Sequence, residues 1–107
     1  MVKLIVLFRA GQRPPHYEER YNEFLMSLES LPGVRRKTVS NVYSAPDGMV
    51  HYRDVVELTF DDRNALETAL ISPAGVISGN MLLDFAGPDA ITMFAEVMEE
   101  DIAGSTS

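Results

Sequence analysis

The stretch Val55–Gly75, "VVELTFDDRNALETALISPAG", closes a strand, opens a helix and then breaks it, and one carboxylate, Glu57, stands inside its apolar run. "VVELTF" has the branched and aromatic content and the period of two that a strand needs. Asp61 or Asp62 then caps a helix whose apolar positions are Ala65, Leu66, Ala69 and Leu70. Ser72-Pro73 restarts the helix, with Ser72 as the cap and Pro73 in the first turn, where its missing N–H is no loss.

Upstream, "APDGMV" combines a fixed φ, an Asx side chain and a glycine, so it reads as a turn into a strand from Tyr52 to Phe60. "VRRKTVSNVYS" before it is polar and partly alternating, as expected of an exposed edge strand. "KLIVLF" is apolar without alternation, which suits a strand covered on both faces. Tyr17, Tyr21, Phe24, Leu25 and Leu28 fall on one face of a helix that ends at "LPGV", where Pro32 cannot continue the ladder and Gly33 suits the exit. Downstream, Ile77, Met81 and Phe85 recur four apart until Gly87-Pro88, and "AITMFAEV" follows as a fourth strand.

The order β-α-β-β-α-β predicts an α+β, ferredoxin-like domain over residues 1–98: a four-stranded antiparallel sheet with both helices on one face. Right-handed crossovers place the first and third strands in the middle. A loose acidic tail is expected at 99–107. Two helices cover only one sheet face, yet "LIVLF" and "AITMFA" are apolar on both. An apolar sheet face needs a cover, and a second copy of the same sheet supplies it, so a homodimer is expected.

Composition narrows the classes of function. The 107 residues fit one core, with 46% hydrophobic and 23% charged residues, an ordinary globular balance. A formal net charge of −7 repels phosphate backbones and anionic membranes, so no nucleic acid and no membrane partner is expected. No cysteine is present, which removes thiolate metal sites and thiol nucleophiles and suits a reducing compartment. The opening "VKLIVLFRAG" is too short an apolar run for a signal peptide or a span, and a cytoplasmic location is expected. No nucleotide loop, nucleophile elbow or paired-histidine spacing occurs, so neither cofactor nor metal is expected.

The chain resembles the EthD family, within the dimeric α+β barrel group of ferredoxin-like folds. The carriers are "KLIVLFRAG" at Lys3–Gly11, "LPGVRR" at Leu31–Arg36, "ELTFDDRNAL" at Glu57–Leu66, and "SPAG" at Ser72–Gly75 with "DFAGP" at Asp84–Pro88, taken in that order and spacing. The resemblance runs from about Lys3 to Val97. It implies two sheets packed face to face with helices outside, and an apolar cavity in each protomer between its sheet and helices. Many relatives carry a histidine in the first helix about eight residues before the Pro-Gly pair; here that position is Phe24. A plant polyketide cyclase of the same superfamily has a working histidine in an "HPAH" segment, and here "SPAG" puts Gly75 in its place.

Alternation sets Arg53, Val55, Glu57 and Thr59 on one strand face and Val56, Leu58 and Phe60 on the other. Glu57 then faces the barrel, paired with an arginine of either subunit, or serves as a base with a raised pKa. His16 and His51, both near turns, read as rim imidazoles, with general base or haem ligand as the sharper alternative. Tyr17, Tyr21 and Phe24 form an aromatic stripe that is core by default and, in the implied fold, one wall of the cavity. Tyr21, with Tyr43 and Tyr52 of the neighbouring hairpin, can offer hydroxyls to a ligand, and Arg9 can bind an anion or pair with an acid. The expected function is to hold a small, largely apolar molecule. One form is a cofactor-independent enzyme of monooxygenase, isomerase or cyclase type in breakdown of ethers or aromatic compounds; the alternative is a binding or accessory protein without turnover.

Overall fold

A computed structural model describes residues 1–103 of the chain. Four strands, β1 (Val2–Arg9), β2 (Arg36–Asn41), β3 (Tyr52–Phe60) and β4 (Ala90–Glu96), form one antiparallel sheet in the order β2-β3-β1-β4. The first and third strands are therefore central, as the crossover rule requires. Val2 sits opposite Phe60 on one side and Glu96 on the other. Residues 99–103, the described part of the expected tail, contain no helix or strand, and residues 104–107 of that tail lie outside the described residues.

Three helices cover one face: α1 (Tyr17–Ser27), α2 (Arg63–Ile71) and α3 (Pro73–Phe85). Asp62 caps α2 by accepting from the Ala65 N–H at 2.8 Å, and Ser72 caps α3 by accepting from the Gly75 N–H at 3.1 Å. The expected restart at Ser72-Pro73 is a 74° corner between two helices. No helix among the described residues is long and apolar enough to cross a membrane.

Every second residue of β1, Val2, Leu4, Val6 and Phe8, is buried beneath the helices, and Val56, Leu58 and Phe60 join them from β3. Tyr17, Tyr21 and Phe24 come down from α1 onto this layer. The inward face of α3 differs from the expected one. Ile77 is 58% exposed, while Gly75, Ser78 and Phe85 point inward with Met81 and Leu82 partly buried. Small residues let α3 approach the other two helices, Gly75 against the end of α2 and Ser78 hydrogen-bonded to Ser27 of α1, and its bulkier Val76, Ile77 and Leu83 are left outside.

The other sheet face carries no helix. It presents Lys3, Ile5 and Leu7 of β1, Val55 and Glu57 of β3, Thr38 of β2, and Ile91 and Met93 of β4, as the register dictates. Its apolar residues concentrate on β1 and β4; the β2 side is polar.

Candidate functional site

Between the sheet and α3 lies a cleft of about 140 Å³. Leu4 and Val6 of β1, Phe24 of α1, Leu31, Leu70 of α2, Leu82 of α3 and Thr92 and Phe94 of β4 line it, and Gly75, Ser78 and Gly79 form its α3 wall. An apolar cavity of about 150 Å³ is known to admit benzene, which sets the scale of an occupant. Its α3 hydroxyl is already engaged: Ser78 shares a 2.7 Å hydrogen bond with Ser27, whose hydroxyl also lies 2.6 Å from the Phe24 carbonyl oxygen. A groove of about 310 Å³ between β4 and α2 adjoins the cleft through Leu70 and Phe94.

Gly75 is fixed by the α2–α3 corner. A Cβ there would stand 2.1 Å from the Ala69 carbonyl oxygen and 2.7 Å from that of Leu70. The position occupied by a histidine in the related cyclase has no room for a side chain on this backbone.

One step along β1 from Val6, Phe8 anchors an aromatic layer. Its ring meets Tyr21 edge-on at 5.2 Å, Phe24 at 6.3 Å and Phe85 at 6.1 Å, and Tyr17 stacks on Tyr21 at 6.2 Å. Beyond this layer is a polar cluster. Asp54, opposite Phe8 in the β1–β3 register and only 4% exposed, accepts from Arg13 Nη2 at 2.7 Å and from the Asn41 side-chain amide. Arg13 also pairs with Glu18, and its guanidinium carbon lies 4.4 Å over the Tyr17 ring. Burial opposes the Arg13 charge, but the hydrogen bonds to Asp54 and Glu18 outweigh it and its pKa goes up. Burial pushes both tyrosine hydroxyls upward, Tyr21 further than Tyr17; the Asp54 charge adds to this and Arg13 works against it.

The residues singled out from the sequence are spread over the molecule. Phe24 lines the cleft, whereas Tyr17 and Tyr21 fill the aromatic layer. Tyr52 is half-buried with the Arg9 guanidinium 5.8 Å from its ring centre, and Tyr43, 97% exposed, stands apart. Glu57 faces the open side of the sheet as expected, but its partner within the protomer is Lys3 at 3.8 Å rather than an arginine. His16 is exposed at the start of α1, 3.7 Å from Glu19, and His51 is exposed, with its carbonyl accepting from the Ala10 N–H. Glu57, His16 and His51 are thus not gathered at one place. Among the described residues no three His, Asp or Glu side chains are grouped so as to hold a metal ion.

Sequence reasoning missed Asp54, Arg13 and Asn41. The signal for Asp54 was available: it shares its strand phase with Val56, Leu58 and Phe60, so the alternation that buries them also buries a carboxylate.

No family model matches the chain, and no curated protein matches it. Among solved structures, an ethyl tert-butyl ether D (EthD) family protein from Bacillus halodurans is 29% identical, with a TM-score of 0.86 over 92% of this chain and 99% of its own. A dimeric ferredoxin-like protein of unknown function from Jannaschia sp. is 19% identical, with a TM-score of 0.72 over 90% of this chain and 98% of its own. SnoaB, a cofactor-independent oxygenase from Streptomyces nogalater, is 16% identical, with a TM-score of 0.67 over 92% of this chain and 94% of its own. The last two likenesses carry the fold alone. The first spans the segments whose motifs resemble EthD, and the chain is an EthD-like protein with a ferredoxin-like fold.

Proposed function

We propose that the chain works as a homodimer joined through the open sheet face and holds a small, largely apolar molecule between its sheet and helices. The observation that carries this reading is the cleft of about 140 Å³ whose walls are largely apolar and whose Ser78 hydroxyl is already bonded. Such a site selects by shape and size, and its occupant is a small aromatic ring or branched ether. Dimerisation rests on the uncovered Ile5, Leu7, Ile91 and Met93, which a second sheet would bury. Dimeric ferredoxin-like proteins of the same fold support a homodimer.

Binding without turnover is favoured over catalysis because no titratable side chain of this chain lines the cleft. Glu57 lies on the opposite sheet face. A reducing compartment such as the cytoplasm suits the cysteine-free composition, and the charge of −7 disfavours nucleic acid.

The test is benzene titration followed by methyl NMR. Leu4, Leu70 and Leu82 methyl signals are expected to shift saturably, and Gly79→Leu, which grows a side chain from the cleft wall, is expected to abolish the shift. Methyl signals that stay put at saturating benzene would remove the ligand-binding reading.

A further inference from the structure

The apolar cleft is small for a ligand site. Pockets for small molecules usually measure roughly 300–1,000 Å³, and the cleft alone, at about 140 Å³, holds a single ring. The groove of about 310 Å³ between β4 and α2 brings the space into that range. Two residues line both, Leu70 of α2 and Phe94 of β4, so these two side chains form the junction. Phe94 is 61% exposed on an edge strand, and its ring can turn aside without disturbing the core.

The two spaces differ in chemistry. The groove has a buried apolar floor, Val2 and Leu66, and an exposed rim of Arg63, Glu67 and Glu96. Arg63 and Glu67 stand one turn apart on α2 and so share a helix face. Arg63 is matched by Glu96, which leaves the rim with the one negative charge of Glu67.

We infer that cleft and groove are one site and that its ligand is an uncharged aryl-alkyl alcohol. The ring fills the cleft, the chain passes between Leu70 and Phe94, and the terminal hydroxyl meets Arg63 and Glu67. A hydroxyl suits this rim because it accepts from a guanidinium N–H and donates to a carboxylate. A carboxylate head would meet one cation and two anions there. The inference deepens the proposed function and rests on the cleft holding the ring.

The test is a titration of the full chain with phenylbutanol, read on two sets of methyl signals. Leu4 and Leu82 line only the cleft, and Val2 and Leu66 line only the groove. Benzene is expected to move the first set alone. Phenylbutanol is expected to move both sets with one midpoint, and to bind about threefold more tightly than phenylbutyrate, which carries a carboxylate in place of the hydroxyl. In Gly79→Leu, whose side chain fills the cleft, the Val2 and Leu66 shifts should be lost as well, although neither residue lines the cleft. Groove signals that stay still, that titrate with a midpoint of their own or that persist in Gly79→Leu overturn the inference, as does equal or tighter binding of phenylbutyrate. If benzene moves Leu4 and Leu82 while phenylbutanol leaves the groove signals still, only the joined site falls; if benzene moves nothing, the ligand-binding reading of the cleft falls with it.

Discussion

Arg13 and Asp54, on either side of α1 in the chain, meet at 2.7 Å with both side chains largely shielded from water. Truncating one partner strands the other, and a broken buried pair costs about 3–5 kcal/mol. Arg13 retains Glu18. Asp54→Ala is therefore expected to lose about 3 kcal/mol, at the lower end of that range, in urea unfolding. A loss below about 1 kcal/mol, the value typical of surface pairs, would show that Arg13 simply turns out to solvent.

Two glycines of α3 should respond with opposite signs. Gly75→Ala places a methyl against the Ala69 carbonyl oxygen and should destabilise by about 1–3 kcal/mol or more. Gly79 has open space where its Cβ would go, so Gly79→Ala should stabilise by about 0.5–1 kcal/mol through helix entropy. Thermal unfolding of the two variants checks both; equal effects would mean that the α2–α3 corner is not held as described.

The dimer has its own test. Wild type should sediment at twice 11.9 kDa at micromolar concentration, and Ile5→Asp at 11.9 kDa with its circular dichroism unchanged. Ile5 is only half-buried in the protomer, so the charge is tolerable until a partner sheet covers it. A wild-type monomer would remove the face-to-face arrangement.

Alkaline pH should erode stability. The raised Tyr17 and Tyr21 keep their protons in the folded chain above pH 10, where the unfolded chain has released them, so the unfolded state binds fewer protons and stability falls as pH rises. Each tyrosine contributes a slope of up to about 1.4 kcal/mol per pH unit. Urea unfolding between pH 8 and about 11 should show this loss, and Tyr21→Phe should flatten it.

Local signals made the frame readable. The caps at Asp62 and Ser72 and the glycine exit at Gly33 each act within a few residues, and alternation assigned Glu57 to the open face. On α3, Met81 and Phe85 turn inward as their spacing predicts but Ile77 does not, because hydrophobic periodicity cannot see that Gly75 and Ser78 are buried for their smallness. Arg13 was passed over because its partner lies on another strand, and nothing local in "AGQRPP" couples it to Asp54. Whether an aromatic lines the cleft or fills the layer depends on α3 packing, which separates Phe24 from Tyr17 and Tyr21 although all three share one helix face.

The central position of β1 also governs the order of assembly. It is the first strand made, yet both its neighbours come late: Val2 waits for Phe60 and then for Glu96. During synthesis its two edges stay open until β3 and β4 have emerged, so these long loops set the speed of folding. Through that interval "LIVLF" is a bare apolar strand with no place in a sheet. The nascent chain is therefore most exposed to mispairing and to chaperone capture before β4 arrives, and a truncation ahead of Ala90 would hold it in that state.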